Sequence, residues 1–583
     1  MLRMSTFSRC LAVAGLSWVG CNAFAAGAGS SPVGSSNVTV ADPAVPRPAG
    51  TPCVVQLFAN DVFNDFGTRP YGYAPPAGCG TRWSKVVLEA DFSVTAGRNY
   101  DRTAEIWLNG VNLYFGTTEE PSHSQPQSWH VERDLTDYSA LFRNASQGQA
   151  ILWNAVDSTY TGVYHGSARL LFYPASAQAP APRVPDQVIP LGSDPVGSTT
   201  ELDSSTSSMS KTLSLPRNVE RAYLDVFTQS QHDDEFWYTC VPDQYAGQVQ
   251  ECGGGNFREA EVSIDGQPAG VAPVYPWVYS GGVDPYLWRP VTGVQTLNFM
   301  PYRVDLSPFA GMLSDGAQHT VSVSVVGANN YFSGAATLLL FQDAGSQQVT
   351  GSVTRNTLVG QPPVPTIGST LDGSGNGAIT TRLTRQFVIE GNVNTSRGLM
   401  KSTVNQAVGF ADTQTFTINA NTYRQVTDQL TTVSSTSRSK IGPSIVSQYQ
   451  QQVSYPFHLD YDQEAPADGH NYIATSVQQG YRLVRSRGFG GGIAKFTDQV
   501  GNTLGSADTL RYDANWNLVG HDGQSSSQAF TYHDTLGSCY AANVSSAAGV
   551  VTAWSSGSSC PNGQNSVNWF SHPDGSPDQG DSQ

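Results

Sequence analysis

Charge is scarce in this chain. Only 13% of its 583 residues are charged, and 47 acidic residues against 31 basic ones leave a net charge of −16. Nucleic acid and anionic membranes are therefore not expected partners, since both require a basic face. Helical periodicity is nearly absent, and beyond the N-terminus no apolar run approaches membrane-spanning length. Familiar catalytic signatures are missing too. The chain has no His-Glu-x-x-His helix, no Gly-x-Ser-x-Gly elbow and no phosphate loop, and its glycine run near Gly488 lacks the Lys-Ser/Thr pair a nucleotide loop needs. No Cys-x-x-Cys or Cys/His spacing suggests zinc. Neither a metal nor a cofactor is expected, and any chemistry must come from carboxylates.

What remains is rich in Gly, Ser, Thr, Asn and aromatics, a balance suited to a secreted all-β protein of about three or four domains. The N-terminus pairs Arg3 and Arg9 with a short apolar stretch and an Ala23-Phe24-Ala25 cleavage site. It reads as a signal peptide over 1–25, so a secreted or periplasmic location is expected. Six cysteines follow in three sequence-local couples, and locality in an oxidising compartment favours Cys53–Cys79, Cys240–Cys252 and Cys539–Cys560.

An internal repeat organises the chain. "DRTAEIWLNG" from Asp101 and "FREAEVSIDG" from Phe257 share an arginine, strict alternation and a terminal Asn-Gly or Asp-Gly, the preferred tight-hairpin dipeptides. "RDLTDYSALF" is echoed by "VDLSPFAGML", and "GSARLLFY" by "GAATLLLF". Three echoes in one order imply two tandem sandwich or jelly-roll domains. The expected layout is a flexible lead-in over 26–49, a first jelly roll over 50–176, a proline-rich linker over 177–189, a second jelly roll over 190–345 and a β-rich C-terminal domain over 346–583.

Two stretches hold candidate chemistry. In "HDDEFWY" Asp233, Asp234 and Glu235 abut Phe236, Trp237 and Tyr238. Three consecutive carboxylates in a strand cannot all face one ion, so calcium fits poorly. A solvated strand end, or a pocket where carboxylates bind hydroxyls and aromatic faces stack on sugar, fits better. In "YDRTAEIW" Asp101 enters a strand beside Arg102, and the second copy keeps the arginine as Arg258 but replaces the acid with Phe257. An acid in only one copy fits a site formed between the two.

The blocks "RAYLDVFTQSQHDDEFWYTCVPD", "GGGNFREAEVSIDG", "YSGGVDPYLWRPVTGV", "DRTAEIWLNG", "TTEEP", "VERDLTDYSALF" and "DSTYTGVYH" together closely resemble the acidic peptide:N-glycanase A family. A more distant likeness is to the flavobacterial peptide:N-glycosidase, two eight-stranded jelly rolls with the active site between them. The resemblance implies an amidase that cleaves the asparagine–N-acetylglucosamine bond of N-linked glycopeptides and glycoproteins, acting at acidic pH and tolerating core fucose; a monomer is expected. It places a catalytic role on Asp101 and sugar contact on Arg102. The relative's second acid falls on Gly254 here, so Glu235, with Asp234 behind it, is the expected substitute. In this scheme Asp101 activates water and Glu235 donates a proton. Trp237, Arg258, Trp288, Arg289 and Asp157 are candidate substrate contacts. A non-catalytic glycan-binding protein and an endoglycosidase are the alternatives, because two carboxylates can also cleave a glycosidic bond.

Overall fold

The Asn-Gly and Asp-Gly dipeptides form the turns their chemistry favours. In the computed structural model, which describes residues 32–489 and 494–569, Asn109 and Gly110 have φ of 51° and 81°, and Asp265 and Gly266 have 50° and 76°. Two successive left-handed residues give a hairpin whose twist matches its strands. The first hairpin joins Thr103–Leu108 to Val111–Thr117, and the second joins Glu259–Ile264 to Gln267–Pro273.

Each hairpin belongs to a pair of facing antiparallel sheets. In the first copy one sheet runs Cys53–Phe63, Tyr164–Pro174, Trp83–Val94, Gln127–Asp134, and the other runs Arg69–Tyr73, Ser146–Ile151, Thr103–Leu108, Val111–Thr117. The second copy repeats the plan. Thr200–Leu202, Tyr331–Gln342, Val219–Gln231 and Tyr302–Asp305 form one sheet, and Met209–Ser214, Gln318–Val326, Glu259–Ile264 and Gln267–Pro273 form the other. The sequence echoes occupy equivalent strands in equivalent order. From the connector, Gln187–Pro190 pairs with Tyr331–Gln342 and adds an edge to the second copy.

Alternation along Thr103–Leu108 separates two faces, as the residue pattern indicates. Ala104, Ile106 and Leu108 enter the core of the first sandwich. The opposite face is not solvated: Trp107 joins the hydrophobic cluster of the second sandwich, and its Nε1 donates to Glu105 at 2.6 Å. The sandwiches therefore meet face to face. Contacts such as Tyr114 Oη to the Leu297 carbonyl (2.7 Å) and the Phe299 amide to the Phe115 carbonyl (2.8 Å) seal the junction. Gly116 is required there, since a Cβ would lie 2.6 Å from the Leu297 oxygen.

The C-terminal region is a single eleven-stranded sheet, largely an antiparallel meander, with strands as long as the 21 residues of Gly398–Ile418. Such strands far exceed the usual length of roughly 3–10 residues. One face buries Phe387, Phe410, Tyr455 and Phe457 in the same cluster as the second sandwich, and the other face is mostly polar and exposed. That is the two-faced pattern of an antiparallel sheet with water on one side. The whole described chain is all-β, with only short helical turns. The three expected disulfides are formed: Cys53–Cys79, Cys240–Cys252 and Cys539–Cys560.

The leader over 1–25 lies outside the described residues. The stretch expected as a flexible lead-in is held over its described part, 32–49. The Thr39 amide donates to the Pro290 carbonyl (2.9 Å), the Ala41 amide to Gln528 (2.7 Å), and Arg47 pairs with Glu89 and Glu132. With Ala41 fully buried and its backbone satisfied, this segment is a strap across the body rather than a free tail.

Candidate active site

The site begins where Val219–Gln231, the buried central strand of the second sandwich, ends. At His232 the backbone turns left-handed (φ 48°), and a single 3-10 turn follows over His232–Asp234. This turn sends the three consecutive acids in three directions. Asp233 faces water and accepts from Asn330 Nδ2 at 3.1 Å. Asp234 turns inward: one oxygen accepts Arg258 Nη2 at 2.9 Å, and the other accepts the backbone amides of Asn329, Asn330 and Tyr331 at 2.9, 2.8 and 3.0 Å. Glu235, next in sequence, carries a charge that is felt at Asp101 of the first sandwich.

These contacts correct four of the expected site residues. Asp234 is fully buried with both oxygens occupied, so it anchors the turn and is not available to a substrate. Arg258 is its buried counter-ion and also donates to the Gly255 carbonyl at 3.0 Å. Trp237 is wholly buried beneath the Arg258 guanidinium, 5.9 Å from ring to cation. Trp288 is equally buried and donates its indole N–H to the Gly282 carbonyl at 3.1 Å. A sugar floor needs an accessible ring face, and neither tryptophan offers one.

Across the interface, Asp101 stands just ahead of Thr103–Leu108. The backbone on both sides of it is fixed: the Arg102 amide donates to Thr118 Oγ1 (2.9 Å), the Thr118 amide donates to the Arg102 carbonyl (2.8 Å), and Tyr164 Oη donates to the carbonyls of Tyr100 (3.1 Å) and Glu119 (2.9 Å). The Arg102 side chain donates to Asn99 at 2.5 Å. From the second sandwich, Gln229 and Gln231 each donate to Thr103 Oγ1 at 3.1 Å, which brings the ends of the two strands together.

The result is a cluster of carboxylates from both sandwiches. Burial raises the Asp101 pKa well above its ordinary value; Glu235, Glu120 and Glu119 add to the rise, and Arg102 opposes it. Burial pushes Glu235 to about 7. Tyr279, held by the Ser230 carbonyl at 2.8 Å, feels both acids and lies near them.

Glu119 and Glu120 complete the cluster, and sequence reasoning assigned them no role. Burial lifts Glu119 to about 8 and also raises Glu120, while Arg289 pulls both down. Arg289 Nη2 lies 3.3 Å from Glu120. The available signal was a like-charge pair, "TTEEP", following a buried strand, the same oddity that drew attention to "HDDEFWY".

Accessible aromatic faces lie at the rim. Tyr100 is 53% exposed beside Asp101 and packs 5.7 Å from Tyr160, over which Arg98 sits at 5.9 Å. Asp157 shapes this loop, accepting the Thr159 and Tyr160 amides at 2.6 and 2.8 Å. Its carboxylate thus orients Tyr160. Trp153, 51% exposed, precedes Asn154, whose side chain bonds to Asn99.

A cavity of about 260 Å³ opens beside Glu119, Glu120 and Arg289 and is walled on one side by Ala548, Gly549 and Val550 of the C-terminal sheet. A much larger cavity, about 1520 Å³, lies where the three units meet among Tyr275, Trp277, Tyr455 and Tyr481, and no member of the carboxylate cluster lines it. Size therefore does not mark the chemistry here. Among the described residues one trio has metal-like spacing, Glu89, His130 and Glu132, but Arg47 already bridges its two glutamates away from the cluster.

The chain is 28% identical over 536 residues to peptide-N4-(N-acetyl-β-glucosaminyl)asparagine amidase A of Prunus dulcis, covering 88% of this chain and 91% of that one. Among solved structures, PNGase F, a glycosylasparaginase from Flavobacterium meningosepticum, aligns with half of the chain and 95% of its own length at 12% identity and a TM-score of 0.33. PNGF-II aligns with half of the chain and 65% of its own length, also at 12% and 0.33. The pattern defining the peptide N-acetyl-β-D-glucosaminyl asparaginase amidase A family matches residues 43–354, more than half of the sequence. The chain belongs to that family and is an enzyme, a peptide:N-glycosidase.

Proposed function

We propose that the protein hydrolyses the amide between an asparagine side chain and the first N-acetylglucosamine of N-linked glycopeptides and glycoproteins, using Asp101 and Glu235 as a coupled pair. The observation that carries this reading is the meeting of two carboxyl groups with raised pKa values, one from each sandwich, at one interface. Buried like charges part with their protons in sequence, so one member stays protonated while the other is ionised.

Amide hydrolysis needs both states. The ionised member takes a proton from water as the oxygen attacks the amide carbon. The carbonyl becomes an oxyanion, and Arg102, the cation that acts on Asp101, is assigned to stabilise it. The protonated member then donates to the leaving nitrogen as the carbon–nitrogen bond breaks. One water is consumed, giving an aspartyl peptide and a glycosylamine that later loses ammonia. We assign the donor's role to Asp101, whose carboxyl is raised by burial and by three neighbouring carboxylates, and the base's to Glu235, raised by burial; this exchanges the roles expected from sequence. Tyr100 and Tyr160 supply the flat faces for sugar in place of Trp237 and Trp288.

Acidic operation, tolerance of core fucose and secretion belong to the same proposal, supported by the family resemblance and the signal-like N-terminus. An acidic optimum requires the first ionisation of the pair to fall when substrate binds, and sugar hydroxyls donating to the ionised member have that effect. Both acids come from one chain, which supports function as a monomer. Mass spectrometry of a defined N-glycopeptide after incubation tests the reading. Released intact glycan with asparagine converted to aspartate is expected. A peptide that retains one N-acetylglucosamine, or is unchanged, would overturn it.

A further inference from the structure

The inward face of the C-terminal sheet carries glutamines where a core would ordinarily place aliphatic residues. Gln414 donates its amide to the carbonyls of Tyr238 and Cys240, both at 3.1 Å, and Gln425 donates to Thr239 at 2.8 Å. Gln479 donates to Pro276 at 2.7 Å. Gln524 donates to Arg289 at 2.7 Å, while its own oxygen accepts the Gly549 amide at 2.7 Å. Gln414, Gln479 and Gln524 are buried to 5% exposure or less, and every carbonyl they meet lies in irregular backbone of the second sandwich. Irregular backbone leaves carbonyls without a ladder partner, and a long amide side chain standing up from a sheet can satisfy them one at a time.

The two stretches held in this way are the two that serve the site. Residues 238–240 begin three positions after Glu235. Residues 276–289 end at Arg289, whose guanidinium meets Glu120 and also lies 5.9 Å from the Tyr286 ring. Tyr286 in turn stacks on His521 of the same sheet at 3.7 Å and 4° between planes. Gln524 thus grips the backbone of Arg289 while His521 grips the ring beside it. Gly549, which Gln524 also holds, walls the small cavity at Glu119, Glu120 and Arg289.

We propose that the C-terminal sheet is a working part of the active site, and that Gln524 is a positioning residue that sets the Arg289 guanidinium against the Glu119–Glu120 pair, with His521 in support. Gln414 and Gln425 do the same for the segment behind Glu235. The inference rests on the amidase reading for its kinetic consequence and on geometry alone for the tie itself.

The test uses the full-length protein with Gln524→Ala, Gln524→Glu, His521→Ala and Arg289→Ala, and it reads kcat and KM separately together with backbone hydrogen exchange over 284–291. Gln524→Glu is nearly the same shape and keeps the bond from Gly549 but loses the donor to Arg289. It separates the grip on Arg289 from general packing. Gln524→Ala and Gln524→Glu should each lower kcat/KM by roughly tenfold, the result of misplacing a site group, and should speed exchange at 286–290. His521→Ala should do so by a few-fold. Combined with Arg289→Ala, Gln524→Ala should cost nothing further, because both act through one group. The proposal is overturned if folded Gln524→Ala keeps wild-type kinetics, or if the two losses multiply. Should the wild type fail to release glycan at all, the amidase reading falls, while faster exchange at 286–290 in the Gln524 variants still reports the tie and unchanged exchange refutes it.

Discussion

The two sandwiches share a strand order, a hairpin and an arginine, yet their corresponding strand entrances have opposite fates. In the first copy Asp101-Arg102 opens onto the interface, with Asp101 half-buried among other carboxylates. In the second copy Phe257-Arg258 is sealed: Phe257 packs 5.2 Å from Phe410, Asn256 bonds to Asp412 at 2.5 Å, and neighbouring Glu259 pairs with Arg385, all three partners belonging to the C-terminal sheet. A carboxylate at position 257 would be buried without a partner, at a cost that an aromatic ring avoids. The C-terminal sheet covers the second entrance and leaves the first open. The same frame occurs twice, and the entrance that carries the acid is the one the sheet leaves uncovered.

The comparison can be broken at several points. The largest effect is expected from Asp101→Asn and Glu235→Gln, each lowering kcat/KM by ~10²–10⁴-fold in glycopeptide assays without lowering Tm, as loss of a positioned acid or base does. Asp234→Ala should act on stability instead. It leaves Arg258 buried without its partner, and denaturant unfolding should show a loss of ~3–5 kcal/mol. An Asp234 variant that folds normally but is inactive would return that residue to the chemistry. Phe257→Asp, which copies the first entrance into the second, should gain no activity and should lose more than about 2 kcal/mol of stability in the same unfolding assay. Tyr100→Ala and Tyr160→Ala sharpen the comparison at the rim. Each should raise KM a few-fold with kcat nearly kept, about 1 kcal/mol of stacking, measured by steady-state kinetics.

Much of this frame was legible because its signals are local. Asn109-Gly110 and Asp265-Gly266 specify hairpins through their own backbone preferences, the ordered echoes mark equivalent strands, and cysteines close in sequence are close in space. At Asp101 the sequence offered an acid at a strand entrance in one copy only, and the family resemblance, not the residue pattern, put a role on it. At Asp233, Asp234 and Glu235 a 3-10 turn replaces the strand, and no alternation rule says which acid meets Arg258 and which meets Asp101. The exclusion of Trp237 and Trp288 depends on packing against residues far away in sequence, and so does the burial of the polar-looking face around Glu105 and Trp107. Glu119 and Glu120 were visible as a pair, but only the fold brings them beside Asp101 and Arg289.

The central claim is that Asp101 and Glu235, from different sandwiches, titrate and act as one pair. Its most direct test is the pH dependence of kcat/KM for the wild type and Glu235→Gln on a defined N-glycopeptide. Loss of the last proton from the pair should lower the wild-type rate on the alkaline side. Without the Glu235 charge Asp101 releases its proton more readily, so the residual activity of Glu235→Gln should begin its alkaline fall at lower pH than the wild type. An alkaline limb that does not move when Glu235 is neutralised would show that the two acids do not sense each other, and would contradict the account.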